Sequence, residues 1–104
     1  MDELKDKIQK KLEWEKNPPK HEMTWYNAVE YAKSLGDGWR LPTINELKEA
    51  YKNNDKEFKY ITYWSNYTYL PIDTFAYAYI IEIGFIINIL KVFINNVHCV
   101  KEIE

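Results

Sequence analysis

The fold of this chain turns on SLGDGWRLPTINELKEA, Ser34 to Ala50. Two helical patterns meet here across two glycines, a tryptophan, an arginine and a proline. Upstream, in MTWYNAVEYAKSL, Trp25, Ala28, Val29, Ala32 and Leu35 form one apolar stripe, with Thr24 as N-cap and Gly36 as the stop. Downstream, Thr43 and Glu46 have the capping-box spacing. Pro42 and Leu47 occupy staple positions, and Leu47, Ala50 and Tyr51 continue the apolar face. Gly36 and Gly38 permit positive φ between the helices, and Pro42 fixes the start of the second one. Arg40 is expected to tie loop carbonyls together with its fork of donors. A phosphate cradle would need a strand, a glycine loop and a helix with a lysine, and that order is absent. The stretch therefore reads as a corner that locks a fold, not as a catalytic turn.

Working outward, Asp2 to Lys11 favours helix by composition, and the NPP at Asn17 to Pro19 ends whatever precedes it. After Tyr60 the helical period gives way to β-branched and aromatic residues. TFAYAYIIEI alternates, with Phe75, Tyr77, Tyr79, Ile81 and Ile83 on one face and Ala76, Ala78, Ile80 and Glu82 on the other. Gly84 marks a turn or bulge. FIINILKVF and NVHCVKE supply two further strands. Two helices followed by antiparallel strands predict an α+β fold, and 104 residues suit a single domain carrying an extra helical segment over residues 1–11.

Composition excludes several functions. A net charge of −2 and a pI near 5.7 leave no electrostatic footprint for nucleic acid or an anionic membrane. The apolar run Phe75 to Ile94 is broken by Glu82, Gly84, Asn88 and Lys91, as suits adjoining strands and not a bilayer span. The charged start MDELKDKIQKKLEWEK does not read as a signal peptide. One cysteine, Cys99, allows no intramolecular disulfide and fits a reducing compartment. The expectation is a soluble cytoplasmic domain. His21, Glu22 and His98 lack the clustered spacing of a metal site, and no cofactor motif is present.

Three segments carry a family resemblance: MTWYNAVEYAKSLGDGWRLPTINEL, then YWS at Tyr63 to Ser65, then VHCVK at Val97 to Lys101. Together they resemble the Lcl C-terminal domain family, of the C-type-lectin-like fold, related to the formylglycine-generating enzyme superfamily. The resemblance runs from about Leu12, whose LEWEK looks like the family's first strand, to about Lys101. It implies a compact fold with two helices packed on antiparallel strands, and a core holding Trp14, Trp25, Trp39, Trp64, Leu41 and Leu47. The chain also departs from the family pattern. Ala32 stands where the family has a cysteine, so the bridge to the position of Cys99 cannot form. His98 replaces an arginine, and Asn66 a serine. The paired-cysteine chemistry of formylglycine-generating enzymes lacks its parts here, so the domain is expected to be non-enzymatic.

FKYITYWSNYTYLPIDTFAYAY is the segment richest in binding residues. Tyr60, Tyr63, Tyr67, Tyr69 and Tyr77 cannot all be buried in so small a domain, and tyrosine is favoured at protein interfaces. They are read as a binding face carried by the irregular loops between Tyr60 and Asp73 and by the late strands. LPID at Leu70 to Asp73 is a turn and not a calcium-lectin signature. The expected partner is a protein, in the manner of an adaptor or of a phage-encoded inhibitor of a host enzyme or defence system. The alternative is a glycan- or surface-binding adhesin module.

Overall fold

The computed structural model describes residues 11–53, 58 and 60–103. The helix expected over Asp2 to Lys11 lies outside them except for Lys11, which opens a strand. In chain order the elements are β1 (Lys11–Trp14), β2 (Met23–Thr24), α1 (Trp25–Ser34), β3 (Trp39–Arg40), α2 (Ile44–Lys52), β4 (Thr62–Thr68), β5 (Phe75–Ile80), β6 (Phe85–Leu90), β7 (Ile94–Asn95) and β8 (Val100–Ile103). The strands form three antiparallel sheets, ordered β1-β8-β3, β2-β7 and β4-β5-β6. The fold is α+β.

The helix boundaries follow the local chemistry read from the sequence. Thr24 Oγ1 accepts from the Asn27 amide at 3.1 Å and caps α1. The Leu35 and Gly36 amides then close on Ala32 and Lys33, with Gly36 at φ 117°. At α2 the capping box is complete: the Glu46 amide donates to Thr43 Oγ1 at 3.0 Å, and the Thr43 amide donates to Glu46 Oε1 at 2.8 Å. Such a cap contributes about 1 kcal/mol.

Both faces of the β4-β5-β6 sheet are covered near its middle. Trp64 pairs with Ala78, so their side chains share a face. There the indole fills the space that Ala76, Ala78, Ala28 and Ala32 leave open, with Leu41, Val97 and Cys99 completing this core. Its N–H donates to the Met23 carbonyl at 2.9 Å, so no polar atom is stranded. Tyr63 pairs with Tyr79 on the opposite face, where Ile81 and the α2 residues Ile44 and Leu47 form a second core.

Several expectations need correction. Residues 62–68 form a regular strand with a bulge, not an irregular loop. Of FIINILKVF only Phe85–Leu90 is strand, as β6, and residues 91–93 turn the chain toward β7; β5 stops at Ile80, before Gly84 turns the chain at φ 73°. Of NVHCVKE only the part from Val100 is strand. Trp64, Leu41 and Leu47 are buried, but Trp14, Trp25 and Trp39 are half-buried and pack on the margins of the cores.

Candidate functional site

Arg40 does not mainly tie carbonyls. Its Nη1 donates to the Leu41 carbonyl at 3.2 Å, but its principal partner is the Glu46 carboxylate, bidentate at 2.8 and 2.7 Å. Glu102 of β8 adds a third oxygen at 3.1 Å. Burial raises the Glu46 pKa, but the Arg40 hydrogen bonds and the Thr43 amide overcome this and hold the carboxyl below its ordinary value. One carboxylate thus caps α2 and anchors the corner. This guanidinium is occupied by structure and is not available to a substrate.

A buried carboxylate that the sequence did not single out sits at Glu15. Its Oε1 accepts from the Cys99 amide at 2.8 Å, and its Oε2 accepts from the Tyr31 hydroxyl at 2.6 Å. The Glu15 amide donates to the Cys99 carbonyl at 3.0 Å, and His98 Nε2 donates to the Glu15 carbonyl at 2.9 Å. Burial, then the Glu15 carboxylate, pushes both the Cys99 thiol and the Tyr31 hydroxyl well above their usual ranges. A buried thiol held neutral is a poor nucleophile. His98 stacks edge-on against Trp14 at 5.2 Å, in the other core from Cys99, so the two neighbours do not form a catalytic pair. Among the described residues no group of three or more His, Cys, Asp or Glu side chains could hold a metal. No helix among them is long and apolar enough to cross a membrane.

The five tyrosines read as one face do not form one: Tyr60 lies against Tyr63, and Tyr69 against Tyr77. Tyr63 is only 2% exposed and belongs to the second core, which corrects its assignment as a binding residue. Its burial follows from strand pairing with Tyr79 under α2, a long-range contact that alternation alone does not reveal. Tyr60 sits beside Tyr63, its ring 6.4 Å from that of Tyr63 and its amide donating to the Tyr63 hydroxyl at 3.2 Å, and lines an open groove of about 630 Å³ with Lys20, His21, Glu22, Ile61, Thr62 and Asn96.

Tyr69 and Tyr77 do meet, at the end of the sheet where β4 turns into β5, and Tyr67 lies in the strand segment opposite Tyr77. Tyr77 meets Tyr69 edge-on at 5.6 Å, and Tyr69 meets Phe75 at 6.4 Å. The register slips between Trp64 and Thr68, a bulge opposite Tyr77 that leaves Tyr67 49% exposed. Ser65 holds the bulge: its Oγ donates to the Tyr77 carbonyl at 2.8 Å and accepts from the Tyr67 amide at 3.2 Å. The turn beyond is closed by three backbone bonds, Tyr69 N to Phe75 O, Ile72 N to Tyr69 O and Phe75 N to Ile72 O. On it Leu70 is 86% and Ile72 51% exposed. Sequence reasoning missed both, although their apolar identity inside a turn was the available signal. Exposed Tyr67, Leu70, Ile72 and Asp73 beside the half-buried Tyr69 and Tyr77 give this end of the hairpin an amphipathic surface.

An α+β domain with a capped helix–corner–helix unit packed on small antiparallel sheets is of the C-type-lectin-like kind. The sequence matches the sulfatase-modifying factor enzyme 1-like domain family over residues 2–76, and the chain belongs to that family. The matched span includes both helices, the corner and the bulged strand and ends within β5, so β6 to β8 lie beyond it. The family includes a formylglycine-generating enzyme. No curated protein matches the chain.

Proposed function

We propose that this chain is a non-enzymatic, cytoplasmic binding domain of the Lcl C-terminal type, one that recognises a protein partner through the tip of the β4–β5 hairpin. As an adaptor or as an inhibitor of another enzyme, it would use Tyr67 and Tyr69 as anchors beside Leu70 and Ile72. The observation that carries this reading is the exposure of Leu70 and Ile72 on a turn whose backbone is already hydrogen-bonded. Aliphatic side chains next to tyrosines suit the dry centre of a protein interface, whereas a sugar face needs convergent polar groups. A pre-ordered turn also loses little entropy on binding. The buried, neutral Cys99 supports the non-enzymatic part of the reading.

The test compares the wild-type chain with a Tyr67→Ala/Leu70→Ser double variant in affinity capture from cytosol, followed by titration of the captured protein. Loss of a true anchor weakens binding by about 2 kcal/mol or more, roughly thirtyfold, while the melting temperature stays close to that of the parent because the site is exposed. Full affinity in the variant removes the hairpin tip from consideration. Binding to a glycan array together with empty captures selects the adhesin reading instead.

A further inference from the structure

The two edges of the β4-β5-β6 sheet are treated differently by the fold. The outer side of β4 is covered: Trp64 N donates to Asn96 O, Asn96 N to Thr62 O, and Asn66 N to Pro42 O. β6 pairs with β5 alone, and among the described residues no backbone bond reaches Phe85 to Ile89 from its outer side. Natural edge strands are usually protected by charge, proline, a bulge or shortness. FIINIL has six residues, no charge and no proline, and its register with β5 is uninterrupted.

We propose that β6 is a homodimer edge, pairing antiparallel with β6 of a second copy to join two three-stranded sheets into one of six strands. The occupant of such an edge must be an extended strand, because what is on offer is a row of main-chain donors and acceptors. A second copy fits because the surface is complementary to itself under a twofold axis. Exposed apolar residues sit at both ends, Ile83 just before the strand and Phe85 at its first position, Val92 and Phe93 after it. Antiparallel pairing lays the start of one copy against the finish of the other.

Sheet continuity also fixes the parity of the register, since paired residues must share a face. Placing the axis at Asn88 sets Ile87 opposite Ile89 and Ile86 opposite Leu90 of the second copy. It sets the strand's polar side chain opposite itself, where each amide can both donate and accept. No like charges meet. Phe85 is 61% and Phe93 56% exposed. With side chains of roughly 150–250 Å², each leaves on the order of 100 Å² open. Comparable amounts from Ile83, Ile86 and Val92 bring the edge to roughly 500 Å² of apolar surface, and the main chain adds to that toward the ~800 Å² per partner of a stable complex.

The experiment is light-scattering mass measurement on the full chain over a dilution series, with Asn88→Lys, Asn88→Asp and an equimolar mixture of the two. The wild type is expected at twice the 12.6 kDa chain mass, each charged variant as monomer, and the mixture again as dimer. Recovery in the mixture separates an interface effect from misfolding. In parallel, Asn88→Cys should cross-link under mild oxidation, since paired residues across antiparallel strands lie about 4.5–5.5 Å apart at Cα, within disulfide reach. Glu82→Cys should not. A wild-type monomer at every concentration, or charged variants that stay dimeric, overturns the proposal, as does Asn88→Cys failing to cross-link.

Discussion

Replacing Glu46 by glutamine is the most discriminating perturbation of the corner, because one side chain holds it from both directions. The glutamine carbonyl can keep the 2.8 Å bonds from Thr43 N and Arg40 Nη1. Its amide nitrogen, however, takes the place of Oε2 and faces Arg40 Nη2, which donates there at 2.7 Å in the parent. Donor then meets donor, and the charge assistance of the pair is lost. A hydrogen bond to a charged group contributes about 1.5–3 kcal/mol. Glu102 still holds Arg40 Nη2 at 3.1 Å, so the cost should lie toward the lower end, about 1.5–2 kcal/mol. At about 4–8 °C per kcal/mol for a domain near this size, the melt should fall by roughly 6–16 °C. The pH dependence supplies an independent check. The Glu46 carboxyl has its pKa lowered from 4.5 in the folded state, so its contribution is complete above that pH and is lost as pH falls through the depressed folded value. The gap between parent and variant should therefore close in acid and reopen at neutral pH. Thermal melts by circular dichroism at several pH values measure both effects. A Glu46→Gln protein that melts with the parent at pH 7, or a gap that does not change with pH, would refute the role assigned to this pair.

Other consequences follow from burial. Trp64→Ala should cost about 3–5 kcal/mol, measured by denaturant unfolding, because the fully buried indole also satisfies the Met23 carbonyl. Trp39→Ala should cost clearly less, since Trp39 is half-buried and has Lys101 Nζ 5.9 Å from its ring; equal costs would contradict the assignment of these two residues to core and margin. Cys99 should react with a thiol reagent only at the rate of unfolding, and melts with and without reductant should coincide, because its thiol is buried and held neutral. Fast labelling of the native protein would show that the Glu15 shell opens.

The parts of this fold that were legible in the sequence are those whose causes lie within a few residues. The Thr24 cap, the Thr43–Glu46 box and the Gly36 stop each need only neighbours three or four positions away, and each formed where the pattern placed it. Contacts made across the chain were not legible. Glu15 is bound by residues 16 and 84 positions distant, and nothing local to it marks it out from the other carboxylates. The tyrosines failed in a related way. Alternation separates two faces of a strand, but it tells nothing of burial when both faces are covered, and so Tyr63 and Trp64 are neighbours that are both buried. Tyr67 escapes because the bulge adds residues to β4 that have no counterpart on β5, and a bulge leaves no period in the sequence to detect.

The corner and the hairpin tip are not independent parts of the molecule. Pro42, inside the stretch that decides the fold, accepts the Asn66 amide at 2.9 Å. Trp25, the first residue of α1, donates its indole N–H to the Ser65 carbonyl at 2.9 Å. Ser65 in turn bonds both the Tyr77 carbonyl and the Tyr67 amide. The bulge is therefore gripped from the corner on one side and from the helix start on the other, while Tyr67 itself stays exposed. A surface that is ordered before binding loses less entropy on binding than one ordered by its partner. Under the proposed function, that ordering is done in the free protein by residues that a partner need not touch. GWRLPT thus acts on the hairpin tip from a distance: through Pro42 it helps set the backbone from which the aromatic residues project.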